Sequence, residues 1–219
     1  REEGVYVAEG LRMCREYKPD DVEILYITES FGKQEENKKW LRGFKFEIVT
    51  DEVMHYMADT KTPQGVLAVA KKKCTMEDIL KKTSTPKLIM ILENIQDPGN
   101  LGTIIRAGEG AGITGVVMSS DTADIYNPKV IRSTMGAVFR VPFVYVEDLK
   151  AALLQLKDHG VHLYAAHLKG QNSYDQEDYT ESTGFLIGNE AQGLSDEIAS
   201  LADTYVKIPM AGSVESLNA

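Results

Sequence analysis

One stretch of this sequence, residues 88–118, reads as a strand, a polar loop, a helix and a second strand in succession. The apolar run Leu88–Leu92 has the length of a strand, and the apolar run Val116–Met118 closes the stretch. Between them, apolar residues recur at helical spacing from Leu101 to Ile105. This order is typical of a parallel sheet. In such units the binding site lies just beyond the carboxyl end of the strand, where the loop enters the helix.

The same alternation continues along the chain and predicts its domain organisation. Short apolar runs and helical patterns follow one another over residues 87–219, which predicts an α/β fold with a mostly buried parallel sheet flanked by helices. Residues 1–73 are predicted to form a smaller α/β unit. Residues 74–86 include a Thr-Ser-Thr-Pro tract and are predicted to link the two.

The composition is that of an ordinary globular protein, since 43% of the 219 residues are hydrophobic and 26% are charged. No apolar run approaches the roughly 18 residues that span a bilayer, and no signal-peptide pattern opens the chain, so we predict no membrane partner. Cys14 and Cys74 lie far apart, which favours free thiols in the cytoplasm. The net charge of −9 argues against long non-specific contact with phosphates, although Lys71–Lys73 is a local basic cluster.

Three loops at predicted strand ends carry polar residues and glycines. They are Asn94–Asn100, which leads to Arg106 in the helix, then Gly188–Gly193 and Ile208–Ser213. In a parallel sheet all three emerge on one edge, and their glycines let the backbone approach a ligand closely. The alternative is that the glycines only make turns and the polar residues only cap helices. That alternative suits any one loop, whereas the three together favour a ligand site.

Several common sites are absent from the sequence. There is no GxxxxGK[ST] phosphate loop and no GxSxG nucleophile elbow. The four His and two Cys lack zinc spacing, so no metal site is predicted. The run Gly108–Gly112 is similar to a dinucleotide fingerprint, but it lies at the end of the predicted helix and not at its start.

Three motifs in order resemble the SpoU/TrmH family of RNA ribose 2′-O-methyltransferases, within the SPOUT superfamily. They are Glu93–Arg106, Ile187–Ser195 and Ile208–Asn218, and the match covers about residues 87–219. At the front, Glu9-Gly10 and Pro63–Gly65 resemble the ribosomal-protein L30-like substrate-binding domain that precedes many members of the family.

This resemblance implies a SPOUT domain whose C-terminal segment forms a deep trefoil knot. It also implies a homodimer with sites at the subunit interface, and S-adenosylmethionine as the cofactor, bent into the knot. By position, the residues implied to bind the cofactor are Gly188, Ile208, Met210 and Leu217. Apolar side chains suit a pocket in which the adenine ring is recognised by shape and by main-chain hydrogen bonds.

The catalytic residues that the resemblance implies are Arg106, Asn100, Glu190, Ser216 and Asn218. Arg106 is expected at the reacting hydroxyl and the neighbouring phosphate. Because a guanidinium stays protonated in proteins, we expect it to stabilise the developing alkoxide, with a role as base as the alternative. Asn100 and Asn218 would orient Arg106 or the ribose, Glu190 would accept a hydrogen bond from Arg106 or Asn100, and Ser216 would contact the ribose or phosphate. Without such a role, Arg106 would form a salt bridge on a helix face.

The function implied is S-adenosylmethionine-dependent 2′-O-methylation of a ribose in structured RNA, with ribosomal RNA favoured over transfer RNA. The alternatives are a transfer RNA methyltransferase, a non-catalytic RNA-binding protein with the same fold and, from Gly108–Gly112, a dinucleotide enzyme. The sequence stops at Asn218-Ala219, where the family continues into a helix that completes the knot. We expect a chain that is cut there to bind the cofactor weakly and to dimerise poorly.

Overall fold

A computed structural model describes residues 5–71, 74–81, 85–210 and 212. Its contacts divide the chain into two compact units, Arg1–Lys73 and Cys74–Ala219.

The first unit is a four-stranded mixed sheet with short helices. Its elements are β1 (Val5–Glu9), α1 (Leu11–Cys14), a 3₁₀ turn (Pro19–Asp21), β2 (Val22–Thr28), α2 (Glu29–Lys33), α3 (Glu35–Trp40), β3 (Phe46–Val49), α4 (Asp51–Met57) and β4 (Val66–Lys71). The strand order is β1-β4-β2-β3, with β4 antiparallel to both neighbours and β2 parallel to β3. The predicted small α/β unit therefore has a sheet of its own.

Local signals set the ends of some of these elements. The sequence predicts a helix that begins after Thr50, since Thr50 is a typical cap and Asp51 and Glu52 suit the first turn. The Thr50 hydroxyl accepts a hydrogen bond from the amide of Val53 at 3.2 Å, so α4 begins there. The sequence also predicts a helix over residues 9–17, but α1 begins only at Leu11, because Gly10 has a φ of 93° and cannot be helical. The helix α2 was not predicted. Its start is capped by Thr28, whose hydroxyl accepts from the amide of Phe31.

The second unit contains a seven-stranded sheet. Its elements are α5 (Met76–Leu80), β5 (Leu88–Leu92), α6 (Pro98–Ala111), β6 (Gly115–Ser119), α7 (Pro128–Ser133), a 3₁₀ turn (Ala137–Phe139), β7 (Phe143–Val146), α8 (Leu149–Asp158), β8 (His162–Ala166), β9 (Asn172–Ser173), a 3₁₀ turn (Tyr174–Gln176), β10 (Thr183–Ile187), α9 (Asp196–Ala199) and β11 (Thr204–Lys207). The strand order is β7-β6-β5-β10-β8-β11-β9, and every pair is parallel. The predicted parallel α/β sheet is confirmed.

The order in which the chain adds strands to the sheet reverses between β5 and β10. From β5 the chain adds β6 and β7 on one side, and the later strands lie on the other side, with β10 placed directly against β5. Leu92 and Ile187, the last residues of these two strands, are partners in register. Ligands of open α/β sheets bind outside the carboxyl ends of strands at such a switch point. The loops after β5 and β10 start there.

Alternate residues of the strands face two hydrophobic cores. On one face, Ile91 and its neighbours pack with α5, α8 and α9, and on the other face Leu92 and its neighbours pack with α6 and α7. The sequence predicts a helix over residues 147–159 with Leu149, Leu153, Leu154 and Leu156 on its apolar side, and this prediction is wrong for Leu154, which is 46% exposed. The buried positions Leu149, Ala152, Leu153 and Leu156 follow helical spacing, and Leu154 falls outside that stripe.

Part of the predicted linker is folded against the second sheet. Ile79 of α5 is buried and packs over Gly115. The ammonium group of Lys87 donates to the carbonyl oxygens of Ile79 at 2.8 Å and Lys81 at 2.6 Å, which satisfies the end of α5. Burial lowers the pKa of Lys87. Residues 74–81 thus pack as part of the second unit.

Two predicted features fall partly or wholly outside the described residues. Lys72 and Lys73 of the basic cluster lie outside the described residues. Most of the C-terminal segment that is predicted to form the knot also lies outside them, because the described residues end at 210 apart from Gly212. The trefoil knot therefore stays a prediction. No helix among the described residues is long and apolar enough to cross a membrane.

Two glycines of α6 provide a test of this packing. A Cβ at Gly102 would overlap the Ser133 hydroxyl and lie 3.0 Å from the Val130 carbonyl oxygen, whereas no atom lies within 4 Å of the corresponding position at Gly110. We expect Gly102→Ala to lower the free energy of unfolding by roughly 1–3 kcal/mol through overpacking. Gly110→Ala should raise it by up to about 1 kcal/mol through helix propensity. Urea unfolding measures both, and equal effects at the two positions would contradict the packing of α6 on α7.

Candidate active site

The loop after β5 enters α6 through a capped and proline-started turn. The Asp97 carboxylate accepts a hydrogen bond from the amide of Asn100 at 2.9 Å, and Pro98 is the first helical residue. This hydrogen bond holds the pKa of Asp97 below its ordinary value. Asp97 and not Asn100 therefore caps the helix. The side chain of Asn100 is left for another contact.

Asn94, in the same loop, adopts a left-handed backbone conformation with a φ of 53°. Its backbone amide donates to the Ser119 hydroxyl at 2.9 Å, and its backbone carbonyl oxygen accepts from the side-chain NH₂ of Asn189 at 2.8 Å. Non-glycine residues at positive φ are uncommon, although asparagine tolerates this region better than most. The turn at Asn94, after β5, is therefore hydrogen-bonded both to the end of β6 and to the loop after β10.

The loop after β10, from Gly188 to Ser195, closes on itself. The Asn189 side-chain oxygen accepts from the amides of Ala191 at 2.9 Å and Gln192 at 3.0 Å, and its carbonyl oxygen accepts from the Gly193 amide at 2.8 Å. A Cβ at Gly188 would overlap the peptide that joins Gly193 to Leu194. The loop itself therefore requires glycine at 188, whether or not that residue also contacts a cofactor.

Glu190 joins this loop to the loop after β5. One carboxylate oxygen accepts from the amide of Gln96, and the other accepts from the amide of Asp97 and the side-chain NH₂ of Asn100, each at 3.1 Å. Partial burial alone would raise the pKa of Glu190, but a hydrogen bond from its own backbone amide and these three hydrogen bonds together lower it. The structure thus brings the predicted residues Asn100 and Glu190 into direct contact.

A second contact between the two loops was not predicted from the sequence. The Glu93 carboxylate accepts from the Ser195 amide at 2.8 Å and from the Ser195 hydroxyl at 2.6 Å. That hydroxyl also accepts from the amide of Ile198 at 3.3 Å and so caps α9, a role that the sequence predicts because Asp196 and Glu197 follow Ser195. Glu93 begins the motif Glu93–Arg106, and Ser195 ends the motif Ile187–Ser195. Their pairing spans 102 positions, however, and no local pattern reports a contact of that range.

Arg106 lies two turns into α6 and its side chain is exposed. Within residues 5–71, 74–81, 85–210 and 212 its guanidinium group has no hydrogen-bond or ion-pair partner. Of the two partners suggested for Glu190, Asn100 is the one observed. The alternative for Arg106, a salt bridge on the helix face, is not seen among those residues.

The remaining predicted site residues either follow β11 or lie outside the described residues. Ile208 comes directly after β11 and is 50% exposed, and Met210 is half-buried. Because β8 lies between β10 and β11, this segment leaves the same edge of the sheet two strands away from Gly188. Leu217, Ser216 and Asn218 lie outside the described residues. Their positions relative to Arg106 stay predictions.

A polar cleft of about 400 Å³ lies beside the joined loops. Its lining residues are Glu93, Asn94, Asp121, Asn189, Gln192, Gly193, Leu194, Ser195 and Asp196. Three of these are carboxylates, which disfavours an RNA phosphate there and leaves Arg106 as the better phosphate contact. In the described part of the chain, no cluster of three or more His, Cys, Asp or Glu has the geometry to hold a metal ion.

The hydrogen bonds of Glu190 predict a pH dependence of stability. Because the pKa of Glu190 is lowered on folding, its contribution is present above the unfolded pKa and is lost as the pH falls through the folded pKa. We expect Glu190→Gln to lower stability near pH 7 and to reduce the further loss that the wild type shows on acidification. Thermal unfolding between about pH 7 and pH 3 measures this.

Glu181→Gln removes an exposed carboxylate from the same unit and controls for the change in net charge. If Glu190→Gln and Glu181→Gln gave parallel curves over that pH range, the three hydrogen bonds to Glu190 would not contribute to stability.

Two family models match the chain. The SpoU rRNA Methylase family matches residues 87–219, and the MRM3-like substrate binding domain matches residues 1–68. Among curated relatives, the 23S rRNA (guanosine(2553)-2′-O)-methyltransferase RlmP of Bacillus subtilis is 32% identical over 80% of this chain and 68% of its own length. The 23S rRNA (guanosine-2′-O-)-methyltransferase RlmB of Bordetella pertussis is 30% identical over 92% of this chain and 85% of its own.

Solved structures agree with these matches. The SpoU methyltransferase AviRb from Streptomyces viridochromogenes, in complex with the cofactor AdoMet, superposes with a TM-score of 0.84 at 26% identity, over 98% of this chain and 84% of that one. Other curated relatives extend further beyond the match, and this chain spans 57% of one of them. The family model covers more than half of the sequence and includes the joined loops. The chain belongs to the SpoU rRNA methylase family.

Proposed function

We propose that this protein transfers a methyl group from S-adenosylmethionine to a ribose 2′-hydroxyl of structured RNA, with ribosomal RNA favoured over transfer RNA. The observation that carries the proposal is the contact between Asn100 and Glu190, 3.1 Å from nitrogen to oxygen. It joins two of the three motifs at the switch point of the sheet, directly before the helix that presents Arg106. A non-catalytic RNA-binding protein would not need this arrangement.

The contact fixes what Asn100 offers to a substrate. A carboxylate can only accept hydrogen bonds, so the NH₂ group of Asn100 faces Glu190. The amide oxygen of Asn100 then remains to accept a hydrogen bond from a ribose hydroxyl. Accepting that bond orients the hydroxyl and raises the electron density on its oxygen, which helps attack on an electrophilic carbon.

Arg106 supplies the positive charge. Its guanidinium stays protonated, so we assign it to the neighbouring phosphate and the developing alkoxide, with paired N–H donors suited to both. Its exposure and its lack of a partner among the described residues support this assignment. Ser216 and Asn218 complete the proposed set of catalytic residues by family resemblance alone.

The cofactor site is proposed at the ends of β10 and β11. Ile208 fits an adenosine contact, because a large apolar side chain is left half exposed at a strand end where ligands of such sheets bind. Met210, Leu217 and the backbone of Gly188 are proposed to hold the cofactor with it. When bound, S-adenosylmethionine supplies a methyl group on a sulfonium, which is already a good electrophile.

The preference for ribosomal RNA is supported by the two-domain match. Two relatives that match most of this chain are named as 23S rRNA methyltransferases, a third is named as a tRNA/rRNA methyltransferase, and a substrate-binding domain model covers residues 1–68. A transfer RNA substrate is the second candidate. The homodimer and the cytoplasmic location are further proposals that rest on the family and on the sequence. Light scattering on the purified protein tests the dimer.

Methyl transfer to RNA tests the proposed function. We expect labelled methyl from S-adenosylmethionine to enter ribosomal RNA at a 2′-oxygen. Arg106→Lys should lower kcat by about 100-fold or more, because a point charge replaces a planar pair of donors at the site of charge development. Arg140→Lys serves as the control. The Arg140 guanidinium pairs at 2.7 Å with Glu109, which lies on α6 as Arg106 does.

Two outcomes would contradict this proposal. If label entered transfer RNA alone, the proposed reaction would stand but its substrate would be transfer RNA and not ribosomal RNA. No label in any RNA pool, from wild-type protein shown to bind the cofactor, would favour the non-catalytic alternative.

A further inference from the structure

Glu93 makes a contact that the proposed reaction does not yet use. Its two carboxylate oxygens bind the amide and the hydroxyl of Ser195, at the far end of the loop that carries Glu190. Its own amide donates to the Ile187 carbonyl oxygen at 2.9 Å, which continues the pairing of β5 with β10 by one residue. Glu93 is therefore fixed by the sheet at its backbone and holds the loop by its side chain.

The loop is held to its neighbour at both ends. At the start, Asn189 donates to the Asn94 carbonyl oxygen at 2.8 Å. At the end, Ser195 is bound by Glu93. Glu190 lies between these two attachments and reaches across to residues 96–100. A loop fixed at one end only would leave that carboxylate free to move away from Asn100.

We propose that Glu93 is a positioning residue for methyl transfer: by binding Ser195 it holds the Gly188–Ser195 loop where Glu190 meets Asn100. This inference rests on the proposed function for its effect on rate, although its structural part stands alone. Glu93 acts through Glu190 and does not touch the substrate. Hydrogen bonds to an ionised group are the strong ones, so this attachment is well suited to the task.

The consequence is a loss of rate without a loss of cofactor binding. Gly188, at the start of the loop, follows directly from the paired end of β10, so it stays in place when Ser195 is released. We expect Glu93→Gln to lower kcat about tenfold or more, as for removal of a charge-assisted hydrogen bond, with the KM for S-adenosylmethionine within about twofold. Glu197→Gln, two residues beyond Ser195, is the matched control, because Glu197 pairs with Lys150 at the surface.

A double-mutant cycle tests whether Glu93 acts through Glu190. If it does, Glu93→Gln should have little further effect on kcat in a Glu190→Gln background, whereas independent roles would multiply. Multiplicative effects would overturn the proposal. An unchanged kcat in the single variant Glu93→Gln would do so as well.

Ser195 provides a second route that leaves the charge unchanged. Ser195→Ala removes the hydroxyl from Glu93 and also removes the cap of α9, so it needs a control that loses a cap elsewhere. Thr75→Ala is that control, because the neutral Thr75 hydroxyl caps α5 through the amide of Asp78 at 3.3 Å. We expect only Ser195→Ala to lower kcat, and Ser195→Thr to restore it. Equal losses in the two cap variants would mean that the contact is merely structural.

A titration separates this inference from the proposed function. The carboxyl carbon of Glu190 can be followed by NMR as the pH is lowered, with no RNA present. If Glu93 positions Glu190, Glu93→Gln should raise the pKa of Glu190 toward its ordinary value, because the hydrogen bonds that lower it are weakened. Removal of a negative charge alone would act in the opposite direction and lower it. An unchanged or lower pKa overturns the inference, even if the wild type proves to be inactive.

Discussion

The second unit depends on how the sheet joins the ends of β5 and β10. Because these strands are neighbours and run parallel, two loops that are almost one hundred residues apart in sequence start side by side. Both loops are polar and contain backbone groups that the sheet no longer pairs. The carboxylates of Glu190 and Glu93 accept hydrogen bonds from three of these backbone amides, those of Gln96, Asp97 and Ser195. The same bonds that stabilise the loops set the geometry of the candidate site.

This arrangement explains why each residue type is needed. Glycine at 188 is required because the loop folds back onto it, and asparagine at 94 suits a left-handed turn. Aspartate at 97 caps α6, which frees the Asn100 side chain to bind Glu190. The helix then presents Arg106 at a fixed distance along its axis from that contact. Stability and the proposed chemistry therefore share the same hydrogen bonds.

Much of this could be predicted from the sequence, for reasons that are local. The strand Leu88–Leu92, the cap at Thr50 and the end of α6 near Gly112 all follow from patterns within a few residues. Contacts at long range could not be predicted in this way. The pairing of Glu93 with Ser195 depends on β10 inserting next to β5, and a single sequence carries no signal of that order.

The central claim is that the carboxyl edge of β5, β10 and β11 forms one binding site. Titration of ¹⁵N-labelled protein with S-adenosylhomocysteine tests it most directly, because each amide reports its own surroundings. We expect the amides of Gly188, Glu190 and Ile208 to shift together, with those of the first unit unchanged. Binding that shifts amides elsewhere and leaves these three unmoved would contradict the account.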